Sequence, residues 1–176
     1  MSEEIVKLGK KQLQKGLTYN QVVILFFSQT SAVVRDTIEM FRGELTADEQ
    51  LRLPGAEEEL LYFFLFALDY WWQMNPSYTQ EQKRIFDEVF GYHLQGWCGD
   101  DAQGRARWEN LQERLTAYGG IVNGQTDDSV KLFNLGKKLS DYCGISAGLC
   151  LSSAPVLFRT AFQSVSLLGR ESRKAK

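Results

Sequence analysis

The sequence predicts an all-α fold, a single globular bundle of six to seven helices around a central apolar helix at about residues 56–74. Three observations carry this. Apolar residues recur at helical spacing along most of the chain, and period-two alternation never extends beyond a few residues. Cap and breaker residues fall between the periodic stretches. The run LLYFFLFALDYWW, residues 60–72, is apolar on every face and holds no β-branched residue, so it reads as a helix enclosed by others.

The elements follow in order. A first helix spans about Glu3 to Gln14 and stops at Gly16. Thr18 opens the second, with Gln21 as the reciprocal partner of a capping box. Its inward stripe is Val23, Phe27, Val34, Ile38 and Phe41, and Gly43 ends it. ELTADEQLRLPG is a polar connection with room for one helical turn. The central helix starts after Pro54-Gly55, which puts Glu57, Glu58 and Glu59 in its first turn, where the helix dipole favours negative charge.

Thr79 and Gln82 form another capping box, and the helix they open buries Ile85, Phe86, Val89, Phe90, Leu94 and Trp97. Asp100 or Asp101 caps the next helix, with the stripe Trp108, Leu111, Leu115 and Tyr118, and Gly119-Gly120 ends it. Thr126 or Asp127 caps a helix with Leu132, Leu135, Leu139 and Tyr142 inward. Pro155 stands as the first residue of the last helix, which runs to Leu168 and buries Phe158, Ala161, Phe162, Val165 and Leu168. One domain thus covers residues 1–169, followed by a flexible basic tail at 170–176.

A chain of 176 residues can bury roughly 70% of its unfolded surface, so the core needs no crosslink. Cys98, Cys143 and Cys150 form no CxxC pair. With no secretory leader at the N-terminus, they read as reduced, buried thiols in a cytoplasmic protein. Were residues 143–150 one helix, Cys143 and Cys150 would stand two turns apart, about 10 Å along the axis, too far for a disulfide. The uncharged stretches 16–34 and 142–158 contain too many polar residues and breakers for a membrane span.

Formal charge sums to +3 over residues 1–35, −10 over 36–101 and +5 over 105–176. Such an arrangement suits head-to-tail or partner contacts, although solvated helix faces explain it more simply. Nucleic acid is disfavoured: Lys131, Lys137 and Lys138 form the only basic face inside the fold, and Asp127, Asp128 and Asp141 flank them.

Catalytic signatures are mostly missing. The chain has no GxGxxG, GxxxxGK[ST], GxSxG or HExxH motif, and its single histidine, His93, has Phe90 three residues before it where a di-metal bundle needs Glu. No metal and no cofactor is therefore expected.

Four residues stand out as binding candidates. Asp69 interrupts the central apolar run, and His93 sits on an apolar face between Phe90 and Trp97. Tyr62 and Trp72 bracket the aromatic helix, whose Phe63, Phe64, Phe66, Tyr70 and Trp71 serve either as core or as pocket lining for a flat or acyl ligand. Arg35 and Arg159 are the expected partners of a buried Asp69. The leading expectation is a non-enzymatic helical interaction module that binds a protein partner or a second copy of itself. The alternative is a helical domain that holds an apolar small molecule near the 60–72 helix.

Overall fold

The computed structural model describes residues 3–14, 16–125 and 127–173. Among them the elements are α1 (Glu3–Gly9), β1 (Gln12–Gln14), β2 (Leu17–Thr18), α2 (Tyr19–Arg42), α3 (Ala47–Gln50), α4 (Leu53–Met74), α5 (Gln80–Cys98), α6 (Ala102–Gly124), α7 (Asp128–Cys143) and α8 (Ala147–Arg173). The fold is all-α, with eight helices among the described residues rather than six or seven. None of those helices is long and apolar enough to cross a membrane.

α4 is the axis. Tyr62 through Leu68 are buried without interruption, and α2, α5, α6, α7 and α8 all pack against it. The capping boxes Thr18/Gln21 and Thr79/Gln82 both close, as does a third, Thr46/Glu49, which starts the single-turn α3. The Asp101 carboxylate accepts from the Gly104 N–H at 2.7 Å, and that of Asp127 accepts from Ser129 and Val130. Each cap satisfies an N–H that has no partner inside its own helix.

The structure departs from the sequence expectations at five places. α1 stops at Gly9 instead of Gln14, and the chain turns into a short antiparallel ribbon around Gly16, whose φ of 83° suits glycine. A Cβ at Gly9 would come within 2.3 Å of the Asn20 side chain, so a larger residue there would require Asn20 to shift. α4 begins at Leu53 with Pro54 in its first turn, so Glu57, Glu58 and Glu59 lie beyond that turn. α6 passes through Gly119-Gly120 to Gly124, because burial of Tyr118 and Val122 outweighs the roughly 1 kcal/mol that each helical glycine costs.

α8 begins at Ala147 and contains Pro155 rather than starting there. A proline inside a helix costs about 3 kcal/mol and leaves the carbonyl four residues earlier, that of Leu151, without its helical donor. Burial of Cys150, Ser153, Ala154, Leu157 and Phe158 on both sides of it holds the helix together. Phe162, expected in the core, is 44% exposed. The backbone is helical to Arg173, and residues 174–176 of the expected tail lie outside the described residues.

The tightest helix pair is α7–α8, where a Cβ on Gly136 would fall 2.9 Å from the Leu151 Cα. Gly144, at φ 63°, ends α7 in the left-handed conformation and turns the chain back. Cys143 and Cys150 therefore do not share one helix. The turn sets the two thiols near each other; the Cys143 Sγ donates to the Ala56 carbonyl at 3.9 Å, and both thiols remain free and buried.

Two ion pairs fasten α6 to α4. Arg114 and Glu59 form a two-pronged pair at 2.9 and 2.8 Å, with each side chain 12% exposed and the guanidinium lying over the Tyr142 ring. Two turns earlier, the Arg107 Nε donates to Glu58 at 2.9 Å in a wetter setting. The glutamates therefore serve as ion-pair partners and not as first-turn dipole charges. Glu59→Ala removes both prongs and leaves Arg114 with Glu113 alone, so it should lower the unfolding free energy by about 1–3 kcal/mol. Glu59→Leu combined with Arg114→Leu should recover a large part of that loss. Urea midpoints check both statements, and a double variant no more stable than Glu59→Ala would refute the account.

Candidate functional site

Beside the C-terminal half of α4, the start of α7 and the middle of α8 leave an open cleft of about 220 Å³. Its walls are Tyr70 and Trp71 from α4, Leu132 from α7, and Pro155, Phe158 and Phe162 from α8. The α8 residues Pro155, Phe158, Arg159 and Phe162 are spaced by three, four and seven, which places them on one helical face. The Trp71 indole N–H donates to the Phe158 carbonyl at 3.0 Å, fixing the indole against α8.

The rings meet at angles. Trp71 lies 4.8 Å from Phe162 at 64° and 5.1 Å from Phe158 at 53°, and Tyr70 lies 5.4 Å from Phe158 at 32°. These separations fall within the range that favours aromatic contact.

Charge collects at the rim. The Lys131 ammonium pairs with Asp128 at 3.1 Å, and this hydrogen bond holds the lysine above its usual range. Arg159 also lines the cleft and is exposed. Every other arginine with a described side chain has a polar partner: Asp36 for Arg35, Glu39 for Arg42, Glu81 and Glu88 for Arg84, Glu58 for Arg107, and Glu59 and Glu113 for Arg114. Arg52 donates to the Gly144 carbonyl and Arg105 to that of Asp100. Arg159 has no ion pair or hydrogen bond among the described residues.

The four residues singled out from the sequence do not converge. Trp72 is fully buried, stacked between Tyr78 at 4.0 Å and Phe86 at 4.1 Å, and is core. Tyr62 is fully buried as well, its hydroxyl donating to Glu58 at 2.8 Å beside the α4–α6 ion pairs. His93 is half-buried on α5, with Nε2 3.1 Å from the Asn20 Oδ1, and burial holds its pKa below the usual range. It borders an open depression of about 410 Å³ with Ile24, Phe27, Tyr92 and Trp97. Its bond to Asn20, itself packed on Gly9, ties α5 to α2 and α1.

Asp69 has neither expected partner. Arg35 lies on the surface beside Asp36 at 3.6 Å, and Arg159 is at the cleft. The surroundings of Asp69 are instead Gln73 and a second carboxylate, Asp87 of α5. Gln73 also donates to Asp87, and the Lys83 ammonium donates to the Gln73 carbonyl. Burial, reinforced by the Asp87 charge and opposed by the Gln73 hydrogen bond, pushes the Asp69 carboxyl up to about 7. Burial and the neighbouring Glu88 push Asp87 up to about 6. With no arginine to strand, Asp69→Ala loses the large penalty that a buried ion pair would impose.

Of the aromatic helix, only Tyr70 and Trp71 reach the cleft, and the sequence had grouped both with its pocket candidates. Phe158 and Phe162, which the helical spacing assigns to the core, and Arg159, which the sequence offers as a partner for Asp69, line the cleft instead, and helical spacing alone gives no signal of the facing α4 and α7 side chains that complete it. Among the described residues, no three His, Cys, Asp or Glu side chains are grouped to hold a metal ion. No family model, curated protein or solved structure matches the chain.

The Asp69 environment makes stability depend on pH with a definite sign. Between the unfolded carboxyl pKa of about 3.9 and the folded value of about 7, the folded state holds a proton that the unfolded state has released. This contribution to stability is complete below the lower value and is lost as pH rises through the upper one. Asp69→Asn removes the titration. Its melting temperature relative to wild type should therefore rise between pH 5 and pH 8 by at least about 2–4 °C, equivalent to roughly 1 kcal/mol. Parallel melting curves for the two proteins across that range would contradict this.

Proposed function

We propose that the protein is a non-catalytic helical binding domain that takes an apolar, ring-bearing small molecule into the α4–α7–α8 cleft. The observation that carries this reading is a concave site with four aromatic rings in its wall, one of them fastened by the Trp71–Phe158 hydrogen bond. Small-molecule sites characteristically combine such apolar walls with a few polar groups at the edge. At about 220 Å³ the cleft has room for one or two fused rings while remaining open to solvent.

A protein-interaction role, including self-association, is the second reading. It is supported by Phe133, Val156 and Leu167, which are 57%, 62% and 65% exposed on the same two helices. Lone exposed apolar residues are ordinary on soluble proteins, whereas a concave aromatic site is less so.

Titration with the neutral aromatic 2-naphthalenemethanol, followed by calorimetry, tests the leading reading. Wild type should bind it saturably, and Phe162→Asp should weaken binding at least tenfold while leaving the melting temperature within about 2 °C, because Phe162 is half-exposed. Absence of saturable binding, together with a concentration-dependent dimer abolished by Phe133→Glu with Leu167→Glu, would transfer support to the interaction reading.

A further inference from the structure

We infer that the cleft selects aromatic carboxylates, with the ring held among Tyr70, Trp71, Phe158 and Phe162 and the carboxylate paired with the Arg159 guanidinium. This rests on the proposed binding role and adds the chemical class of the ligand.

The charge at the rim leads to the anion. Lys131 and Asp128 neutralise each other, so the cleft carries the uncompensated charge of Arg159. Seven other arginines have a carboxylate or backbone carbonyl as partner, and Arg159 alone among those with described side chains has none. A guanidinium presents a planar fork of donors that matches a carboxylate bidentately, which an ammonium does not. The fork lies beside the apolar wall because Arg159 follows Phe158 directly and precedes Phe162 by three residues on α8. A ligand reaching both needs an anionic group attached to its ring system or within a bond or two of it.

The wall leads to the ring. Trp71, Phe158, Phe162 and Tyr70 form an angled array with neighbouring centroids 4.8 to 5.4 Å apart. A flat ring extends such an array with the same edge-to-face and offset contacts, while an alkyl chain gains only area. Trp71 cannot swing aside to admit a bulkier group without breaking its bond to the Phe158 carbonyl.

The test compares 2-naphthoate, its neutral counterpart 2-naphthalenemethanol, and octanoate by calorimetry at low salt on wild type, Arg159→Gln and Lys131→Gln. Wild type should bind naphthoate about fivefold more tightly than the alcohol, a ratio typical of a solvent-exposed charge pair, and octanoate more weakly than naphthoate. Arg159→Gln should bring the ratio to one without changing the affinity for the alcohol. Lys131→Gln, which frees Asp128, should weaken naphthoate and leave the alcohol unaffected. The naphthoate advantage should shrink as salt rises. Arg159 is exposed, and an unchanged melting temperature confirms that its variant is folded. Equal affinity for naphthoate and the alcohol on wild type, a preference that survives Arg159→Gln, or octanoate binding as tightly as naphthoate would overturn the inference while leaving the cleft an apolar binding site. Failure of all three compounds to bind would overturn the binding role as well.

Discussion

A helix without a polar face has to be covered on every side, and α4 imposes that requirement on the whole chain. Its buried run from Tyr62 to Leu68 leaves no stripe for solvent, so five helices surround it. Each apolar side chain so buried contributes about 1.5–3 kcal/mol. That scale explains why helices persist through residues that would normally end them. Gly119-Gly120 in α6 and Pro155 in α8 each carry a local cost of a few kcal/mol or less, and each lies in a segment whose inner face completes the cover over α4.

Polar groups on α4 survive where an enclosing helix meets their needs. Glu59 is satisfied by both prongs of the Arg114 guanidinium, and Glu58 by Arg107, so α6 is held in register as well as packed. Asp69 receives no cation. Its neighbours are an amide and another carboxylate, and the burial that suits Leu65 and Leu68 beside it raises its proton affinity. The contrast between the two acids comes from what the facing helix presents and not from the acids themselves.

The cleft arises where the cover thins. Toward the end of α4, Tyr70 and Trp71 are only partly buried, while Trp72, one residue on, is sealed in the Tyr78–Phe86 stack. Phe158 and Phe162 lean against the exposed side without closing it, and Pro155 supplies the remaining wall. The same aromatic run therefore provides core on one face and one wall of an open cleft on the other, with Arg159 at the edge of the cleft.

The class of fold, the central helix and most of the caps are legible in the residue pattern, because they depend on local periodicity and on side chains that reach only three residues along the chain. Thr18 with Gln21, Thr79 with Gln82 and the aspartates before α6 and α7 could be read in this way. What it could not determine were the features set by distant partners. The Asn20 side chain occupies the space beside Gly9, where α1 ends, and the meeting of Cys143 with Cys150 follows the turn at Gly144. The site was only half legible. Tyr70 and Trp71 are legible as aromatics of the central helix, but which of its seven aromatics face outward is decided by α7 and α8. From the sequence Arg159 reads as a partner for Asp69, because each is a lone charge in an apolar stretch. Only the tertiary structure showed the two apart, since helical spacing says which residues share a face and nothing about which face of another helix lies opposite.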